Sequence, residues 1–178
     1  MRTTGPPALA AVAVTAALLL AGCDSGGGDG GGDGGGKSST GARGPAACRI
    51  GETDVEIAAS PAPAAGDTGT VSVNLANRGP ACTLDGFPSV TLTGTGAPAG
   101  VPADEAATAQ RLTLAADGTA TFALTYVRGS ADGLDVRSAE FALPGDATTH
   151  RFPWSYGEVA VKGEGPDAAV SAFQRAGD

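Results

Sequence analysis

One histidine, one methionine and one tryptophan in 178 residues leave few side chains for reactive chemistry. A mechanism that runs on histidine has only His150 to use, and no Ser stands in the G-x-S-x-G setting of a hydrolase elbow. His150 therefore reads as a surface or sheet-face residue, no catalytic residue is assigned, and a hydrolase is the least favoured function. Copper delivery fails on inventory, because the only methionine is Met1 and a single imidazole remains. Basic residues are short as well: 11 Lys and Arg stand against 19 Asp and Glu, for a net charge of −8. That balance argues against nucleic acid as a partner and against adhesion to anionic lipid. Helical patterning is missing from the interior of the chain, so a parallel α/β fold with crossover helices is disfavoured.

Long apolar runs are equally scarce. The one present, ALAAVAVTAALLL from Ala8 to Leu20, is too short for a comfortable membrane span and has the proportions of a secretory signal. It ends in LAGC, Leu20 to Cys23, which resembles the lipobox of bacterial lipoproteins. In that family the Cys sulfur receives a diacylglycerol thioether and a peptidase cuts just before it. The resemblance implies a signal peptide over residues 1–22, lipid on Cys23, and a protein held on the outer face of the cell membrane. Two acyl chains, at about 0.8 kcal/mol per buried methylene, anchor stably where one does not.

Behind Cys23 lies GGGDGGGKSST, in which Gly31, Gly36, Lys37 and Ser38 fit the G-x-x-x-x-G-K-[ST] pattern of a phosphate-cradling loop. Such a loop needs a buried strand before it and a helix after it, so that backbone N–H groups point at phosphate. Here glycine and aspartate precede it, and SSTGARGP follows, with no apolar period. No nucleotide or other cofactor is expected. Residues 23–46 read instead as a disordered Gly-rich tether with a reach of about 25 to 30 Å. Beyond it, about 133 residues remain, enough for one domain with a real core.

Of three cysteines, Cys23 is claimed by lipid, which leaves Cys48 and Cys82. In an oxidising compartment they can pair, closing a loop of about 34 residues worth roughly 3 to 4 kcal/mol. Two free buried thiols are the alternative. A metal site is weaker, since two Cys and one His cannot complete a closed tetrahedral set.

From Thr68 onward the chain alternates apolar and polar residues. Val71, Val73 and Leu75 share one face of TGTVSVNLAN, and Ala120, Phe122, Leu124 and Tyr126 share one face of TATFALTYV. Turn signals such as Asp85-Gly86, Asp117-Gly118 and Pro144-Gly145-Asp146 separate the runs. Only DAAVSAFQRA, residues 167–176, reads as well as a short terminal helix as it does a last strand. The spacing predicts an all-β antiparallel sandwich over residues 47–178, with Greek-key connections.

Between Val71 and Leu92 lie Asn77-Arg78-Gly79, then Cys82-Thr83-Leu84, then Gly86-Phe87-Pro88, with Cys48-Arg49 opening the domain. This arrangement resembles the domain of unknown function 4232 family, found in exported and lipid-anchored actinobacterial proteins. LAADGTATFALTY, Leu114 to Tyr126, is similar to that family's turn and long strand. The resemblance covers Ala47 to about Val161. It implies an immunoglobulin-like β-sandwich with a Cys48–Cys82 bridge, and no established activity. No cysteine follows Cys82, so a second bridge is ruled out.

Two clusters remain as candidate sites. Glu52, Asp54 and Glu56 alternate along the first strand; they read as a solvated strand face, since cation sites take oxygens from a wrapping loop. In HRFPWSY, an extended chain puts His150, Phe152, Trp154 and Tyr156 on one face. Exposed, that row is a stacking platform for sugar rings; buried, it is core. Pro153 points to an edge strand or a bend. The expected function is a non-catalytic, lipid-anchored binding module of the cell envelope, engaging a protein or polysaccharide through loops or a sheet edge. The alternative is a carbohydrate-binding module using the aromatic row.

Overall fold

A computed structural model of the chain describes residues 44–176. The expected signal peptide, Cys23 and all but the last residues of the tether lie outside them. In chain order, β1 (Ala46–Ala47) precedes a single 3-10 turn (Ile50–Glu52), followed by β2 (Thr53–Ser60), β3 (Thr68–Asn77), β4 (Cys82–Leu84), β5 (Ser89–Gly94) and β6 (Ala99–Val101). Then come β7 (Leu112–Leu114), β8 (Thr119–Val127), β9 (Val136–Ala142) and β10 (Thr149–Pro153). The chain ends through the short β11 (Val161–Lys162), β12 (Gly165–Pro166), β13 (Ala168–Val170) and β14 (Gln174–Arg175).

Two sheets make the sandwich. One has the order β13-β8-β3-β2, with β14 also on β8; the other has the order β10-β9-β5-β6. The sequence neighbours β2–β3, β5–β6 and β9–β10 pair within a sheet, while the chain crosses between the sheets after β3, β6 and β8. The long-range pairs β3–β8 and β5–β9 form the middle of each sheet, and all these pairs are antiparallel. That is Greek-key wiring in an immunoglobulin-like sandwich. The short β4 and β7, on the segments that carry the chain between the main two, form a third sheet with β1.

Period-two patterning explains the core. Val71, Val73 and Leu75 of β3 and Ala120, Phe122, Leu124 and Tyr126 of β8 turn inward, against Val90 and Leu92 of β5 and Ala139 and Phe141 of β9. Phe122 meets Phe141 edge-on at 5.2 Å and Phe173 at 5.6 Å. Such pairs add about 0.5–1.5 kcal/mol each beyond area burial.

The terminal segment 167–176 is extended, so its helical reading fails. Ala168, Ala169 and Val170 pair with Tyr126, Thr125 and Leu124, and the β14 pair Gln174↔Thr121 resumes further along β8. Val170 and Phe173 are both buried at helical spacing, but the chain achieves this by a one-residue register shift along β8 between Val170↔Leu124 and Gln174↔Thr121, with Ser171 N still donating to Ala123 O at 2.9 Å. β13 also closes one side of the sandwich. Val170 N donates to Pro102 O and Asp104 N to Val170 O, both at 2.9 Å, joining β13 to the segment after β6. The remaining outer strands of the two sheets are β2 and β10.

Candidate functional site

The aromatic row of β10 faces inward. Phe152 keeps 7% of its surface and Trp154 6%, while His150 and Tyr156 are half-buried. Trp154 Nε1 donates to Gly157 O at 2.7 Å, and its ring meets Tyr126 edge-on at 4.9 Å and Tyr156 at 4.8 Å. His150 lies against Phe141 with ring centres 5.4 Å apart. Phe152 and Trp154 thus belong to the core, while His150 and Tyr156 each keep part of their surface open. Burial also pushes the Tyr156 phenol up, with the neighbouring Tyr126 adding to it. The edge expected from Pro153 is present. Trp154 N donates to Arg137 O at 2.9 Å, so the even-numbered residues of β10 bond to β9. Pro153 falls in the outward phase, where its missing N–H breaks no ladder bond.

Cys48 and Cys82 are bonded to each other, with Cα atoms 4.8 Å apart, and both are buried. The bond fastens the start of the domain to β4. Cys48 N donates to Thr83 O at 2.9 Å beside it.

The three carboxylates separate. Glu52 belongs to the 3-10 turn, whereas Asp54 and Glu56 lie on the exposed face of β2. Asp54 accepts from Arg78 Nε at 2.7 Å, and Asp117 accepts from Arg78 Nη1 at 3.0 Å. The hydrogen bond to Asp54 chiefly, then that to Asp117, strengthens the hold of Arg78 on its proton. Val55 and Ile57 pack on the core from the other face, as a half-buried strand requires. Among the described residues no three His, Cys, Asp or Glu side chains come together to hold a cation.

Next to Arg78 sits Asn77, the one buried polar side chain among the described residues. Its Nδ2 donates to Pro80 O and Ala115 O, both at 2.9 Å, and its Oδ1 accepts from Gly79 N at 3.0 Å. It ties two loop segments, Gly79-Pro80 and the one at Ala115, together at the end of β3. The sequence marks Asn77 only as the start of the Asn77-Arg78-Gly79 block; its burial depends on the β7–β8 connection, 38 residues away.

The free backbone of β2 is the most accessible recognition feature. Arg78 N donates to Glu52 O at 2.7 Å, and the register Thr53↔Asn77 carries that alternation along the strand. Asp54, Glu56, Ala58 and Ser60 thus exchange hydrogen bonds with β3, while Val55, Ile57 and Ala59 turn their N–H and C=O groups outward. Among the described residues those outward groups have no partner. Sequence placed a strand here but not its free edge, because edge status depends on which distant strands pair. A shallow groove of about 490 Å³ lies elsewhere, between the segment after β6 and β12–β13, with Asp104, Glu105 and Asp167 set against Lys162.

Residues 48–174 match the model of a family described as Domain of unknown function (DUF4232). The chain belongs to that family. The match begins at the disulfide cysteine and ends on β14, so this DUF4232 domain is the whole sandwich. No curated protein and no solved structure matches it.

Proposed function

We propose that this chain is an exported lipoprotein whose DUF4232 sandwich serves as a non-catalytic binding module on the outer face of the cell membrane. The observation that carries the reading is cysteine stoichiometry. The sandwich bonds two of the three cysteines to each other, and the third, Cys23, closes the LAGC sequence behind an apolar run of signal length. A disulfide bracing the domain suits an oxidising compartment. The residues with chemical potential are occupied in packing: His150 rests on Phe141 and Trp154 is enclosed. Engagement through backbone at a sheet edge fits this inventory better than engagement through an aromatic face.

Cys23→Ser tests the anchor. The variant is expected in the medium or soluble fraction and to lose incorporation of a fatty-acid label, while the parent stays with membranes and is labelled. Unchanged membrane retention of Cys23→Ser overturns the reading.

A further inference from the structure

We propose that the β2 edges of two copies of this chain pair antiparallel about a two-fold axis at Ile57, joining their sheets into one. This pairing does not depend on lipid at Cys23. The two outer strands differ. β10 turns Arg151 and Pro153 outward, a charge and a residue without N–H, both of which discourage added strands. β2 runs for eight residues and turns out Val55, Ile57 and Ala59, each with a complete donor and acceptor pair. A long edge of that kind is a template for another strand.

The sequence of β2 suits a second β2. A two-fold pairing in phase with the outward groups must bond odd-numbered residues to odd-numbered residues. Centred on Val55, it sets Asp54 opposite Glu56 of the second copy; centred on Glu56, it sets that carboxylate opposite itself. Both registers oppose like charges, which is destabilising on a sheet face. Centred on Ile57, it places Glu56 opposite Ala58, Asp54 opposite Ser60 and Val55 opposite Ala59, so no carboxylate stands directly opposite another. A centre at Ala58 sets Pro61 opposite Val55, which then loses a donor, whereas the Ile57 centre moves Pro61 out to Thr53 at the strand end. The Ile57 register is therefore the one that uses all three outward residues without penalty. Ala58, Ala59 and Ser60 are exposed and small, leaving room for the larger side chains they would face. The half-buried Val55 and Ile57 would be covered further, and the isologous contact closes on itself, which limits it to a dimer.

Sedimentation equilibrium of the full chain in neutral detergent tests this, with substitutions at exposed positions that leave the β3 ladder and the core untouched. Ala58→Glu places two new carboxylates opposite Glu56 by symmetry and is expected to weaken self-association roughly tenfold. Ala58→Lys places ammonium groups there and is expected to tighten it by a similar factor. Ala59→Pro deletes an outward donor and is expected to leave a monomer. Near-ultraviolet circular dichroism of Trp154 should be the same in all three, showing that they fold. A monomeric parent at every concentration overturns the proposal and leaves the edge to a different chain. So does a dimer on which Ala58→Glu and Ala58→Lys act in the same direction, or one that survives Ala59→Pro.

Discussion

Asn77 shows how one side chain can fix the end of a sandwich. Its amide serves two carbonyls and one N–H, and its own backbone exchanges bonds with Gly118 and Asp117 at 2.9 Å. Asp117 takes a left-handed φ of 59° in this tight turn, a conformation that short polar residues tolerate. Alanine at position 77 would strand all three side-chain partners in a half-covered site, at a cost of about 2–3 kcal/mol. The expected outcome for Asn77→Ala is a melting temperature lower by roughly 10 °C, read by thermal denaturation. A change of only a degree or two would mean that water replaces the amide there. Motif reading singled out Asn77-Arg78-Gly79 as a block, yet the division of labour within it was invisible. Asn77 is internal glue, whereas Arg78 is an exposed ion-pair hub joining β2 to the β7–β8 turn.

Strands, as elements, were legible wherever one face is buried and the other wet. β3 and β8 follow period two over nearly their whole length, so both the element and its inward set could be read directly. Gly69 is where that reading stops. It occupies an inward position of β3 opposite Tyr126, and a Cβ there would lie 2.6 Å from the tyrosine ring. The ring fills the place of the missing side chain and is held by its hydroxyl, which accepts from Ala62 N and donates to Tyr156 O, both at 3.3 Å. Gly69→Ala is expected to cost about 1–3 kcal/mol by overpacking, measured as a lower urea midpoint. Tyr126→Leu should then cost less in the Gly69→Ala background than in the parent; additive effects would show that ring and glycine do not share space. The same limit hid the fate of residues 167–176, where burial of Val170 and Phe173 imitates a helical stripe. Of the row at His150, Phe152, Trp154 and Tyr156, the first two lie on β10 and the last two follow its end at Pro153. The burial of Trp154 was not legible, because that depends on the Tyr126 ring arriving from the other sheet.

At the scale of the molecule, contacts between distant turns set the response to acid. Asp146, in the turn between β9 and β10, accepts from Ile50 N at 2.8 Å and from Thr148 N at 3.1 Å. The first of these donors chiefly, then the second, holds its carboxyl below the ordinary value of 3.8. The folded chain thus binds this proton more weakly than the unfolded chain does. The stabilisation is complete above the unfolded value and is lost as pH falls through the depressed folded one. Melting curves of the parent and of Asp146→Asn are expected to lie apart at neutral pH and to converge as the pH falls below the ordinary carboxylate value. A constant separation across that range would show that Asp146 contributes nothing through its charge.

The covalent link between Cys48 and Cys82 also decides how the domain meets mechanical load. Tension applied ahead of Ala46 reaches Cys48 almost at once and crosses the sulfurs directly to β4, so β2 and β3 lie in a loop that the force bypasses. Stretching from the amino end cannot lengthen the segment between Cys48 and Cys82 while the sulfurs stay joined. Under flow or drag, the edge formed by β2 would keep its shape until the link is reduced.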